Sequence, residues 1–243
     1  MPVLPQKEFL YLQIVLMFFW CLISIKAWNP STNPLADRQY RTYRNGIIDP
    51  RARWTRFFIF VDPEFNNTER MIIRGVASEL QEILPCVKFW MWPKGRSPSD
   101  FRESYIHVTK SKNGCASEVG RMLNGSQKLE LDPKCTDSNT ILHEMIHALG
   151  LHHEQAQPDR DKYVKILWQN IKKGKENNFR KYDPKEVSSF GVPYNPKSIM
   201  QYSSKAFSAN GEPTMVTTDG KIITKPTELQ WTDIEKLKRM YNC

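Results

Sequence analysis

The sequence predicts an α+β fold of two lobes: a mixed sheet with helices first, then an irregular lobe that ends in a helix. Three observations predict it. Strand-length apolar runs alternate with helical periodicity between about residues 45 and 150, regular pattern thins from about Leu151, and a single amphipathic helix returns after Trp231. At 243 residues, 40% of them apolar, the chain has the material for a sizeable core.

Each element follows from local pattern. Phe57 to Val61 is a short apolar run of the kind that forms a buried strand. Ile72, Val76, Leu80 and Ile83 then recur at helical spacing behind the capping candidates Asn67 and Thr68, and Pro85 ends the run. Val87 to Trp90 and Tyr105 to Val108 predict further strands. Asp137 or Ser138 can cap a helix that runs to Gly150, with Leu142, Met145, Ile146 and Leu149 on its core face. Near the end, Thr232 and Glu235 predict a capping box that opens a helix through Ile234, Leu237 and Tyr241.

The beginning of the chain reads differently. Phe9 to Ile25 is a nearly unbroken apolar run followed by the small Ala27, which predicts a secretory signal peptide over residues 1–27. The competing reading is an uncleaved anchor helix, since the run is at the short end of what spans a bilayer. Residues 28–44 are rich in Pro, Asn and Arg without periodicity, as expected of a pro-segment, and Arg44 offers a trypsin-like processing site before a domain of residues 45–243, with lobes of about 45–150 and 151–243. The body is then secreted and extracellular, with no stable membrane contact after signal removal. Cysteine usage agrees: Cys21 leaves with the signal, and Cys86, Cys115, Cys135 and Cys243 can form two disulfides in three possible pairings. The sequons at Asn66 and Asn124 are candidate glycosylation sites. The net charge of +9 is spread among acidic residues, and the densest basic stretch, Lys172 to Lys185, lacks the pattern of a nucleic-acid module, so no nucleic-acid partner is expected.

The chemistry concentrates on the helix before Gly150. Four of the five histidines fall within residues 143–153. His143 and His147, four apart, lie about 40° from each other around a helix and one turn along it, so both imidazoles can reach one ion. Glu144 projects beside them. Gly150 can take the left-handed conformation that turns the chain back and brings His153 to the same ion, with His152 the alternative third ligand. Three protein ligands with an open position are the arrangement of catalytic zinc. His107, on a strand, is expected to be packed or at the surface.

HEMIHALGLHHE resembles the metzincin zinc signature, and the Glu directly after the third His resembles the mark of the astacin family of metalloendopeptidases. GCASEVGRMLNGSQKLELDPKC, NFRKYDPKEVSSFGVPYNPKSIMQY, KAFSANGEPT and KLKRMYNC resemble astacin segments in the same order, so the likeness covers Asn45 to Cys243 almost whole. It implies a metzincin-type two-lobed zinc protease with one Zn2+ per subunit on His143, His147 and His153. It implies Met200 as an apolar floor beneath the metal, Tyr202 as the tyrosine that approaches the zinc and swings away, and Glu154 as the acid that receives a new amino terminus. It also implies the pairings Cys86 with Cys243 and Cys115 with Cys135. The departures are Gln201 for the usual His, Leu151 for Phe and Gln157 for Arg. The pro-segment lacks the family's F-x-G-D switch, which leaves Asp37, its one acid, as the candidate latency ligand.

The expected function is a secreted zinc-dependent endopeptidase acting on extended peptide or protein substrates, with Glu144 as general base and an activating protease cleaving near Arg44. The rival is a secreted binding protein of the same fold with weak catalysis. Intact Glu144 and a full ligand set argue against it. A closed structural zinc site would need a fourth ligand, and every available Cys is committed to disulfides.

Overall fold

The computed structural model describes residues 45–243 apart from positions 100 and 124. The expected signal peptide, pro-segment, Asp37, Arg44 and the sequon at Asn124 lie outside the described residues. Among the described residues no helix is long and apolar enough to cross a membrane.

After the short strand β1 (Gly46–Ile47), β2 (Arg56–Val61) alternates, with Phe57, Ile59 and Val61 buried. α1 (Asn67–Ile83) follows. Its cap is Asn66 rather than Asn67 or Thr68: the Asn66 side chain accepts from the Glu69 N–H at 2.9 Å, and the Glu69 carboxylate accepts from the Asn66 N–H at 2.8 Å. The buried stripe is Ile73, Val76, Ala77 and Leu80, while Ile72 and Ile83 flank it. Three further strands, β3 (Lys88–Met91), β4 (Tyr105–Lys110) and β6 (Ser126–Leu131), complete a parallel set, and β5 (Ala116–Ser117) pairs antiparallel with β6. The order is β3-β2-β4-β6-β5, a mixed sheet with β5 at one edge. α2 (Ser138–Leu149) carries the histidines.

Beyond α2 the chain is mostly 3-10 turns, with the small strands β7 (Val164–Ile166), β8 (Val187–Ser188) and β9 (Met215–Thr217). β8 pairs with β1, and β7 with β9. A second core forms here, built on Val164, Phe179, Tyr194 and Met215. The last helix, α3 (Trp231–Tyr241), is capped by Gln230, whose N–H donates to the Asp233 carboxylate at 3.1 Å, so the expected Thr232–Glu235 box is not the one used. The reason is burial: Thr232, Asp233, Lys236, Leu237 and Met240 form the inward face, and Ile234 and Tyr241 stand at its sides. Leu237 and Met240 join the first core, with Trp54, Phe57 and Leu149, so the helix that ends the second lobe in sequence completes the first lobe in space. Cys86–Cys243 fastens it there, and Cys115–Cys135 brackets β5 and β6, with Cα separations of 5.7 and 6.4 Å.

Candidate metal centre

α2 starts at Asp137, whose carboxylate accepts from the Thr140 N–H at 3.0 Å and from its hydroxyl at 2.7 Å. Leu142, Met145, Ile146 and Leu149 are buried, which fixes the helix's rotation about its axis and presents His143 and His147 on successive turns. Gly150 closes the helix at φ 113°, a conformation that side chains rarely adopt. A Cβ there would stand 2.7 Å from Ile47 Cδ1 and Cγ1, so this glycine also makes room for β1. The chain then doubles back and delivers His153.

His143, His147 and His153 each offer one nitrogen, and the three atoms lie within 4.8 Å of one another. The Nδ1 of His143 meets the Ile199 carbonyl at 2.8 Å and that of His147 the Leu151 carbonyl at 2.7 Å. Each bond is made with Nδ1–H donating, which leaves Nε2 as the lone-pair nitrogen. His147 Nε2 stands 3.1 Å from His153 Nε2. Burial holds His143, His147 and His153 below the ordinary imidazole pKa, and the neighbouring imidazoles push His147 and His153 further the same way. Neutral rings converging from three directions are a donor set for a metal ion. His152 turns away: its ring lies 3.9 Å from that of Tyr182, centroid to centroid.

Glu144 is 6% exposed. Burial pushes its carboxyl up to about 7, against the pull of a hydrogen bond from the Ser117 N–H. Ser117 lies on β5, so this edge strand orients the carboxylate. Tyr202 packs on His153 with ring centroids 4.3 Å apart. Burial, with Tyr182 and Glu144 nearby, keeps its phenol protonated far above neutral pH. Met200 is fully buried, and its carbonyl accepts from the Glu154 N–H at 2.9 Å. His147, His153 and Tyr202 line a cleft of about 890 Å³, together with Ser117, Val119 and residues between Asn177 and Glu186.

Residues 46–242 match the family model for astacin, a peptidase family. The chain belongs to the astacin family. It is 36% identical over 207 residues to protein SpAN of Strongylocentrotus purpuratus, covering 84% of this chain and 33% of that protein. To zinc metalloproteinase nas-7 of Caenorhabditis elegans it is 37% identical over 206 residues, covering 84% and 52%. To meprin A subunit beta of Homo sapiens it is 36% identical over 206 residues, covering 82% and 28%. The chain thus spans between 28% and 52% of the length of these curated relatives. Among solved structures, high choriolytic enzyme 1, a hatching enzyme zinc-protease of Oryzias latipes, superposes with a TM-score of 0.67 at 30% identity, over 80% of this chain and 92% of that one. The architecture is therefore the two-lobed α+β metzincin that the sequence predicted, and the cofactor of this astacin domain is zinc. The donor set fits it: three neutral imidazoles, two of them oriented by backbone carbonyls.

Several astacin-site groups have no signature in sequence. The carbonyls of Leu151 and Ile199 and the N–H of Ser117 are backbone atoms, invisible to motif spacing. The resemblance implies for Glu154 an amino terminus that forms only on cleavage after Arg44; in the uncleaved chain its partners are Lys236 Nζ at 2.8 and 2.6 Å, the Asn45 side-chain amide at 2.8 Å and the Asn195 N–H at 2.9 Å. The Asn45 backbone N–H donates instead to the Ser188 carbonyl at 3.3 Å. Lys236 had a readable signal, a lysine inside the apolar stripe of α3. Of the departures from family pattern, Gln201 is buried and accepts from the Tyr194 hydroxyl at 2.5 Å, and Leu151 is buried beside β1. Gln157 is likewise buried.

Proposed function

We propose that this chain is a secreted zinc-dependent endopeptidase, made as a precursor, that hydrolyses peptide bonds of extended protein substrates with zinc held by His143, His147 and His153. The observation that carries it is geometric: His143, His147 and His153 bring three nitrogens within 4.8 Å of one another, the buried Glu144 stands next to His143 on the same helix, and His147 and His153 line an open cleft. When bound, zinc supplies Lewis acidity to the scissile carbonyl and to the attacking water. Glu144 takes the proton of that water and passes it to the leaving amine. The Tyr202 hydroxyl, protonated throughout, donates to the oxyanion of the tetrahedral intermediate. The substrate lies along β5, with main-chain hydrogen bonds giving affinity and the walls of the cleft giving preference.

Secretion is supported by the apolar run Phe9 to Ile25 and by two disulfides, which persist in oxidising compartments. Residues 1–27 are the signal peptide, 28–44 the pro-segment with Asp37 as its candidate metal-blocking acid, and 45–243 the protease domain, released by cleavage after Arg44. Asn66, exposed at the start of α1, is the candidate glycan site within the described residues.

A chelator should abolish cleavage of a denatured protein substrate, and added zinc should restore it. Glu144→Gln should retain one zinc per molecule and lose nearly all turnover, because an amide cannot accept the proton. Full activity in metal-free protein would sink the proposal, and zinc binding without any cleavage would turn it into a binding protein. Amino-terminal sequencing of the active natural protein tests the boundary: a start more than a few residues from Asn45 refutes it.

A further inference from the structure

Lys236 has no exposed side-chain surface, yet it lies on the α3 face that buries Leu237 and Met240. An unpaired ammonium there would be strongly destabilising. It is paired: Nζ donates to both oxygens of Glu154, at 2.8 and 2.6 Å, and Glu154 is equally buried. The remaining lone pairs of Glu154 accept from Asn195 and Asn45. Replacing such a buried pair by apolar side chains commonly leaves stability unchanged or higher, so what the pair provides is a fixed geometry. The fixed residue is the one next to His153. Glu154 is also pinned by its backbone, through its N–H bond to the Met200 carbonyl, so the residue that follows His153 is held at both ends.

One helical turn earlier on α3, Asp233 does the corresponding thing for a second histidine. It accepts from the Ser198 hydroxyl at 2.5 Å and from the Ile199 N–H at 3.0 Å, and the Ile199 carbonyl is the group that His143 Nδ1 meets. A helix that supplies no ligand thus reaches two of the three histidines from a single face.

We infer that Lys236 is a positioning residue of the metal centre: through Glu154 it sets where the His153 ring stands, while Asp233 acts in parallel on His143 through Ile199. The inference rests on the zinc reading above and extends it from the three ligands to α3. Groups hydrogen-bonded directly to a metal ligand typically change metal affinity by about 10–100-fold when lost, and Lys236, which acts through the residue after the ligand, is expected at the lower end of that range.

The test uses the full chain with four changes: Lys236→Met, Lys236→Arg, Lys236→Met combined with Glu154→Gln, and Leu80→Ala as a cavity in the first core that takes no part in these hydrogen bonds. Zinc affinity is measured by competition with a chromophoric chelator, and the visible spectrum of cobalt-substituted protein reports the geometry of the three imidazoles. Lys236→Met should weaken zinc binding by about 10-fold or more and alter the cobalt spectrum, with Lys236→Arg falling between it and wild type. The paired change removes the uncompensated charge, so it should recover the thermal midpoint but not the zinc affinity, and it decides the matter if Lys236→Met alone does not fold. Leu80→Ala should lower the midpoint and leave zinc affinity as it was. Wild-type affinity and spectrum in Lys236→Met would overturn the inference, as would recovery of both properties in the paired variant or an equal loss of affinity in Leu80→Ala. If the wild-type chain takes up no zinc, the functional reading fails with it; if the wild type binds zinc and, once cleaved after Arg44, hydrolyses substrate while Lys236→Met matches its zinc affinity and cobalt spectrum, the inference fails alone.

Discussion

At the scale of single residues, the site depends on groups whose roles can be separated by small changes. Tyr202→Phe keeps the ring on His153 and removes only the hydroxyl. It should lower kcat by on the order of 10²-fold with KM nearly unchanged, as expected when a donor acts on the oxyanion. Steady-state kinetics on a peptide substrate measures it, and an unchanged kcat would reduce Tyr202 to packing. Gly150→Ala tests the turn. The position combines φ 113° with contacts at 2.7 Å to Ile47, so alanine must shift β1 as well as strain its own backbone. A loss on the order of 2 kcal/mol in urea unfolding is expected, together with weaker zinc retention, because the same turn delivers His153. Residues with a motif were legible in the sequence: the three histidines, Glu144 and Gly150 are fixed by spacing that helix geometry dictates. The Asn45 side-chain amide and Lys236 were not assigned to Glu154 from it, since each contact spans more than eighty positions, although the start of the domain at Asn45 and the role of Glu154 were read from the family resemblance.

At the scale of elements, hydrophobic period predicted which segments are helices and strands better than it predicted their ends. α1, α2 and α3 all form where the period announced them, yet two of the three caps moved by one or two residues. A cap is chosen by which side chain can reach a free N–H once the buried stripe has set the helix's rotation, and that rotation is decided by tertiary packing. The pairing order β3-β2-β4-β6-β5 was likewise beyond local pattern, since strand neighbours are set by connections and not by composition. Asp137, the cap of α2, provides a measurable element-scale prediction. Burial raises its pKa, but the hydroxyl and N–H of Thr140 outweigh that, and the net value is held below the ordinary one. A carboxylate with a depressed folded-state pKa adds stability above its unfolded value and loses it as pH falls through the folded one. Asp137→Ala should therefore cost about 1 kcal/mol at pH 7 in denaturant unfolding, and the gap to wild type should narrow as pH drops below about 4. A gap that is constant with pH would show that the charge plays no part in the cap.

At the scale of the whole molecule, the two disulfides act on chain segments of very different length. Cys86–Cys243 spans 157 positions and Cys115–Cys135 spans 20. Removing the first by paired Cys→Ser changes should cost roughly 2–5 kcal/mol, against about 3 kcal/mol for the second. Only the first should loosen α3, visible as faster hydrogen exchange in residues 231–241 and as easier loss of zinc if Lys236 positions His153. Equal exchange in both variants would detach the disulfide from the site. The placement of α3 in the first core has a further consequence, for the order in which the protein is made. Arg53 donates to the Met240 carbonyl and the Trp54 N–H meets the Tyr241 hydroxyl, each across 187 positions. At synthesis rates of about 5–20 residues per second, the segment around Trp54 waits roughly 10–40 s for the helix that covers it. For that interval Phe57, Ile59 and their neighbours have an incomplete cover, so the emerging polypeptide is a client for whatever shields nascent apolar surface, and the lobe translated first is the lobe finished last.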